Sequence, residues 1–451
     1  MSDFARRILT RQDSTVPRYT SYPPANHFAA GEGAKLESAF VDAARDADAI
    51  SLYIHIPFCD RLCWFCGCHT KHTLRYEPVK AYIDVLLQEI ALWRERLPLR
   101  ARISKLHLGG GSPSLLTRDD LRRLKAALDQ TFTMADAEIS IEIDPTDIKD
   151  GSIAALMEFG LTRASLGVQD FDPAVQKAIN RLQSYEDTAR VVGELRAHGV
   201  ASVNIDALYG LPLQTEERLR NTIAQVISLK PERVALFGYA HVPWMKPHQK
   251  LIPEDELPDN AARFDNARMA AQMLVASGYE AIGIDHFALP QDGLAVAVHD
   301  GRLHRNFQGY TDDDAPVLIG LGPSSIGRFH GGYLQNEVAT GQYTARVSAG
   351  GLPLARGLAL TDDDRMRGWV IERLMCDYAF SLEELRQRFG EAADDLVDFA
   401  QQIAAFDRDG LCHIACGLFS VTPEAWPLVR IVASRFDAWL DVGTRRYSKA
   451  V

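Results

Sequence analysis

Between residues 50 and 285 short β-rich runs alternate with longer amphipathic ones, and this alternation restricts the fold more than any single residue does. The runs are "SLYIHI", "SKLHLG", "EISIEID", "RASLGVQ", "SVNIDALYG" and "RVALFGYA", each bounded by Gly, Pro or Asp. Helical periodicity fills the gaps, most clearly where Val79, Ile83, Leu86, Ile90 and Trp93 fall on one face. Gly199 and Gly278 stand where helix C-caps belong. Six βα units joined by right-handed crossovers read as a parallel sheet. Periodicity alone does not say whether that sheet stays open or curls.

The polar residues favour a barrel. At or just beyond the ends of successive strands come Cys59, the triplet Gly109-Gly110-Gly111, Glu142 with Asp144, Gln169 with Asp170, Asp206, and Tyr239 with His241. In a barrel those ends converge on one face, the usual seat of catalysis. Asp144 before Pro145 also suits a turn, and Asp170 suits a helix N-cap. Six positions in register describe a site more readily than six caps. The triplet in "LHLGGGSPS" lacks both the GK[ST] ending of a phosphate loop and the GxGxxG spacing of a dinucleotide fold. Without Cβ atoms it lets backbone approach a ligand closely, or it is a tight turn.

Beyond the first strand, "HIPFCDRLCWFCGCHT" sets Cys59, Cys63 and Cys66 in a CxxxCxxC array, with Cys68 two residues on, in a chain of seven cysteines. Ferredoxin-type cubanes use four thiolates, so an array supplying three leaves one iron open to an exogenous ligand. Four thiolates also suit zinc, although zinc sites more often use two CxxC pairs or a CxxC with a His pair. "MSDFARRILTRQD" has no apolar h-region, so the thiols are expected in a reducing cytoplasm and a disulfide is not expected.

With the array set between these strands, the chain resembles the radical S-adenosylmethionine (SAM) superfamily. The segments "RYTSYPPA", "YIHIPFCDRLCWFCGC", "HLGGGSPSLL", "EISIEIDP", "GVQDF", "IDALYGLP", "YAHVP", "IDHFALP" and "HRNFQGYT" resemble the oxygen-independent coproporphyrinogen III oxidases across nearly the whole chain. That resemblance implies an α/β partial (β/α)6 barrel at residues 49–330. An N-terminal arm (1–48) would close on the active site, and a small, mainly helical, winged-helix-like domain (331–451) would follow. It implies a 4Fe-4S cluster on Cys59, Cys63 and Cys66, and two SAM molecules per active site. Tyr53, Gly110, Glu142 and Ile326 would meet the cluster-bound SAM, and Phe65, Gly111, Ser112, Gln169, Arg181, Asp206 and Ala240 the second. Tyr53, Glu142 and Cys68 are the expected catalytic residues. Cys68 matters because the related haem chaperones typically carry Phe there. Pro323 near Ile326 and Gly238 beside Ala240 depart from the family pattern and bear on local geometry.

The implied reaction is oxidative decarboxylation of two propionates of coproporphyrinogen III to vinyl groups, giving protoporphyrinogen IX. A haem chaperone and a radical SAM methyltransferase are the rival readings. Capturing a tetracarboxylate with an apolar face needs cations among aromatics. Arg18, Tyr19 and Tyr22 of the arm meet that need, with His286, His304 and Arg305 as further candidates. A low-potential donor such as flavodoxin or ferredoxin is expected, and the protein is expected to be a monomer. Lys+Arg at 49 against Asp+Glu at 60 gives a net charge of −11, which disfavours a nucleic-acid surface. No apolar run reaches membrane-spanning length. Toward the C-terminus, helix, helix, hairpin and helix are expected in turn, with Cys376, Cys412 and Cys416 read as core thiols.

Overall fold

The computed structural model describes residues 15–97 and 101–440. All six expected strands form: β1 (Ile50–Ile56), β2 (Ala101–Gly110), β3 (Glu138–Ile143), β4 (Arg163–Gln169), β5 (Ser202–Tyr209) and β6 (Arg233–Gly238). They pair in parallel in chain order. Between them run α1 (Glu77–Arg96), α2 (Arg118–Thr131), α3 (Ser152–Phe159), α4 (Tyr185–Ala197) and α5 (Glu216–Ser228), and α6 (Asn260–Ala276) follows β6. Val79, Ile83, Leu86, Ile90 and Trp93 of α1 are each 2% exposed or less, so the predicted face is the buried one. Truncating one of them, as in Leu86→Ala, removes about 2–5 kcal/mol. Gly199 and Gly278 follow α4 and α6 with φ of 85° and 94°, a left-handed stop that favours glycine.

The sheet is wider than the alternation predicts. A seventh parallel strand, Val317–Leu321, pairs with the outer side of β1. Antiparallel strands Ile326–Phe329, Gly332–Asn336 and Leu354–Ala359 continue that edge, and His286–Ala288 with Glu280–Ile282 extend the other beyond β6. The two edges do not pair with each other among the described residues, so the barrel is partial. The sheet also runs past residue 330, where the sequence reading began the C-terminal domain, and ends at Ala359.

From Asp362 the chain forms helices Asp362–Asp377, Leu382–Phe389 and Asp394–Ala405, with a three-stranded sheet of Ala379–Ser381, Leu418–Val421 and Cys412–Ala415. Thr361 and Asp364 cap the first helix reciprocally, which fixes where the unit starts. The helix Asp394–Ala405 was not foreseen, and the expected final helix shrinks to Val429–Ser434 after a 3-10 segment containing Pro427. Cys376 and Cys412 are buried, but Cys416 is exposed at the hairpin turn, so it is not a core thiol.

The arm packs into this unit. Val16, Tyr19 and Tyr22 share a core with Phe264 of the barrel and with Leu374, Phe419 and Val432. Tyr19 Oη donates to Asp437 at 3.0 Å, and Arg430 donates to the carbonyls of Val16 and Pro17 at 2.6 and 3.1 Å. Residues 1–14 of the expected arm and 441–451 of the expected C-terminal domain lie outside the described residues.

Candidate active site

The loop after β1 carries the four thiols. Cys63 is buried, Cys59 and Cys66 are half-buried, Cys68 is exposed, and all are free. Neighbouring segments hold the loop's backbone from two sides. On one side Trp64 N donates to Ile179 O (2.9 Å), Asn180 Nδ2 to Leu62 O (2.9 Å) and Arg61 to Leu182 O (3.0 Å). On the other, Gln249 Nε2 donates to Phe65 O (2.9 Å) and Ala240 O (3.2 Å), His248 Nε2 to Cys66 O (2.8 Å), and Lys246 Nζ to Cys68 O (3.0 Å). Sequence reasoning passed over Arg61, Asn180, Lys246, His248 and Gln249. "WMKPHQK" carries no periodicity, and its only signal is its place just after β6.

Arg181 joins the thiol loop to the barrel. Its Nη1 lies 3.6 Å from Cys63 Sγ and 3.0 Å from Asp144 Oδ2, and its Nη2 donates to Gly167 O. Burial pushes the Cys59 thiol up to about 12 and Cys63 upward as well. A hydrogen bond from Cys68 pulls Cys66 down to about 7.

Below the loop is an inner chamber. His55 Nε2 donates to His69 O at 2.8 Å, and burial lowers this imidazole to about 4, so His55 is neutral and its Nδ1 accepts from Tyr53 Oη at 3.0 Å. The Tyr53 ring stacks on His107, with centroids 5.9 Å apart. His107 Nε2 donates to Glu142 Oε1 (3.2 Å), while Gly110 N donates to Glu142 Oε2 (2.9 Å). Burial would raise Glu142, but the hydrogen bond and charge of His107 and the Gly110 amide outweigh it and hold this carboxyl below its ordinary value. Asp206 lines the same chamber from mid-strand rather than from the end of β5. It accepts from Asn204 Nδ2 (2.7 Å) and Ser165 Oγ (3.2 Å). Burial, then the charge of Glu142, pushes it up to about 6.

The glycine triplet serves close packing within the chain. A Cβ on Gly109 would strike Glu142, one on Gly110 the His55 ring, and one on Gly111 the carbonyls of Ile56 and Phe58. Ser112 is buried, donating to Asp147 and lying 2.9 Å from Ser114 Oγ. Gln169 ends β4 at φ 71°, half-buried. Asp170 is fully enclosed, accepting from Asp172 N, Gln214 Nε2 and Thr222 Oγ1, so it is a structural cap. Ile326 is half-buried, its backbone against Gly320. Glu142 and Asp206 thus line the chamber, Tyr53 and Gly110 adjoin it through His107 and Glu142, and Phe65 and Ala240 meet through Gln249. His304 is turned aside, 3.3 Å from Glu372 of the C-terminal unit.

Among the described residues no three His, Cys, Asp or Glu side chains already stand as a closed metal-ligand set. The donor chemistry nonetheless suits soft iron, with several thiols on one anchored loop. Buried polar atoms without partners also face this region, namely Arg181 Nε, Asp147 Oδ1 and Asn204 Oδ1. These are the marks of a polar ligand's seat.

Beside the chamber opens a cavity of about 1180 Å3, lined by Arg18 of the arm, by Phe237, Tyr239 and Ala240, by Arg263 of α6, and by Arg305 and Arg430. Phe237 lines both spaces. No described helix is long and apolar enough to cross a membrane.

A partial parallel barrel with a three-thiol loop at its C-terminal mouth defines a radical SAM enzyme, and the radical SAM superfamily model matches residues 53–226. The HemN C-terminal domain model matches residues 360–428. The chain is 46% identical to the oxygen-independent coproporphyrinogen III oxidase of Cereibacter sphaeroides over 439 residues, 97% of each chain. It is 46% identical to that of Paracoccus denitrificans over 440 residues, again 97% of each. The solved structure of coproporphyrinogen III oxidase (HemN) from Escherichia coli, described as a radical SAM enzyme, matches with a TM-score of 0.89 at 37% identity, covering 95% of this chain and all of that one. The chain belongs to the oxygen-independent coproporphyrinogen III oxidases.

Proposed function

We propose that this enzyme oxidatively decarboxylates two propionate side chains of coproporphyrinogen III to vinyl groups, giving protoporphyrinogen IX. The observation that carries the reading is the thiol loop set over a chamber holding Glu142 and Asp206, beside a cavity large enough for a macrocycle. Cys59, Cys63 and Cys66 would hold a 4Fe-4S cluster. With that cluster reduced and SAM bound, the cofactor pair supplies a 5′-deoxyadenosyl radical able to abstract hydrogen from a propionate β-carbon.

The chain's residues bind and orient. Glu142, kept ionised, accepts from ligand hydroxyl or ammonium groups, while neutral His55 fixes the Tyr53 hydroxyl in one direction. Arg181 pairs with a carboxylate, as it does with Asp144 here. Gly110 and Ile326 complete the first SAM seat, with Tyr53 and Glu142. A second SAM would lie against Phe65, Gly111, Ser112, Gln169, Arg181, Asp206 and Ala240. Cys68, the exposed thiol of the loop, would serve proton or electron transfer to the substrate radical. A low-potential donor such as flavodoxin or ferredoxin would reduce the cluster, and the enzyme would act as a cytoplasmic monomer.

The test is an anaerobic assay of reconstituted, reduced protein with SAM and coproporphyrinogen III, following 5′-deoxyadenosine and porphyrin products together. Protoporphyrinogen IX with about two deoxyadenosines per product is expected, one for each decarboxylation. Deoxyadenosine without porphyrin conversion, or haem binding with neither product, would overturn the reading.

A further inference from the structure

One pole of the large cavity carries a charge imbalance. Among the described residues Arg18 and Arg305 gather there beside one carboxylate, Asp285, with Arg430 next to them. The Arg305 side chain is 4% exposed, 3.7 Å from Asp285 Oδ2 through its Nη2, with its guanidinium 4.4 Å from the Tyr310 ring centre. Its Nε and Nη1 have no hydrogen-bond partner. A buried donor left unpaired is costly, and charged donors more so, which marks a place where an acceptor is missing.

Asp285 cannot fill that place. Its Oδ1 already accepts from His286 Nδ1 at 2.7 Å, and one carboxylate does not balance the guanidiniums of both Arg18 and Arg305. Arg18 spends a donor on Gly238 O (3.0 Å), and Arg430 donates to the arm's carbonyls. The other acids of the cavity are committed elsewhere. Asp259 caps α6 through Ala262 N (2.8 Å), and Glu254 is exposed beside His241 (3.2 Å). Burial, with repulsion from Arg18 and Arg305, holds Arg430 down to about 9. Aromatic and aliphatic walls, among them Tyr209, Phe237, Phe264 and Ile284, surround the pole.

We propose that this pole, with Arg305 as its anchor, is a carboxylate subsite that grips a propionate of the porphyrinogen other than the one reacting. Holding one corner of the macrocycle there fixes which side chain faces the inner chamber across Phe237. The inference rests on the function proposed above and adds the residue that orients the substrate.

The test measures binding of coproporphyrin III, the fluorescent oxidised form of the substrate, and of its tetramethyl ester to reconstituted full-length enzyme. Arg305→Gln should bind the free acid about 10- to 100-fold more weakly, as loss of a charge-assisted bond requires, with ester binding unchanged. Arg305→Lys should recover part of the loss, since it keeps the charge without the fork. Unchanged binding of the acid, or equal weakening of acid and ester, overturns the subsite. If Arg305→Gln fails to fold, Arg18→Gln substitutes for it and should weaken acid binding selectively by a few-fold. Unchanged affinity there overturns the subsite as well. A parent enzyme that neither binds the acid nor forms protoporphyrinogen IX would instead refute the function reading.

Discussion

Glu89 gives a prediction that can be worked from the structure. It sits fully buried on α1 and accepts from Tyr343 Oη (2.7 Å), Gly322 N (2.8 Å) and Asn336 Nδ2 (2.8 Å). Burial outweighs all three bonds and raises its carboxyl to about 7. Tyr82 and Tyr343, the titratable groups facing it, are pushed well above 10 by burial and stay neutral. A carboxyl whose folded value lies above its unfolded one contributes its full share of stability below the unfolded value, 4.5, and loses it as pH climbs through about 7. Between pH 5.5 and 8.5 that loss is roughly 2 kcal/mol. Glu89→Gln removes the titration, so its stability should fall less than the parent's over this range, by about that amount. Urea midpoints followed by tryptophan fluorescence at the two pH values provide the comparison. Parallel pH slopes in parent and variant would refute the reasoning. The consequence reaches the site, because Gly322 leads into the turn that presents Ile326.

Arg181→Met should destabilise the protein by about 1–3 kcal/mol, by taking the closer guanidinium from Asp144 and leaving it to Arg61 at 3.4 Å and to Thr146. A thermal midpoint unchanged from the parent would contradict this. Cys63→Ala should abolish the cluster's spectrum and iron content after reconstitution. Cys68→Ser should retain both while losing porphyrin turnover, and full turnover with an intact cluster would remove Cys68 from the chemistry. Gly110→Ala forces a Cβ into the His55 ring at φ 105°. It should cost about 1–3 kcal/mol and weaken SAM binding, measured by calorimetry.

The βα alternation was readable because each run repeats one local physics. A buried parallel strand must be apolar, and a covering helix must show one apolar face. "RASLGVQ" matches β4 residue for residue, and the α1 face is the one the periodicity selects. The seventh strand, "VLIGL", was not readable because five apolar residues fit several elements, and only distant pairing with β1 decides between them. Asp206 was placed at a strand end but lies mid-strand, since the pleat alternates sides without marking depth. The glycine triplet was read as letting a ligand approach or as a tight turn, and its Cα positions are also crowded within the chain by Ile56, Phe58, His55 and Glu142. Gln249 acts through geometry between segments far apart in sequence, and no spacing rule exposes it.

The thiol loop is gripped mainly by its carbonyls, at Leu62, Phe65, Cys66 and Cys68, with Arg181 on Cys63 Sγ beside them. Its backbone is therefore held by the barrel, independently of the metal. Ordering entropy that a floppy loop would surrender on metal capture is already surrendered during folding, which strengthens cluster affinity by preorganisation.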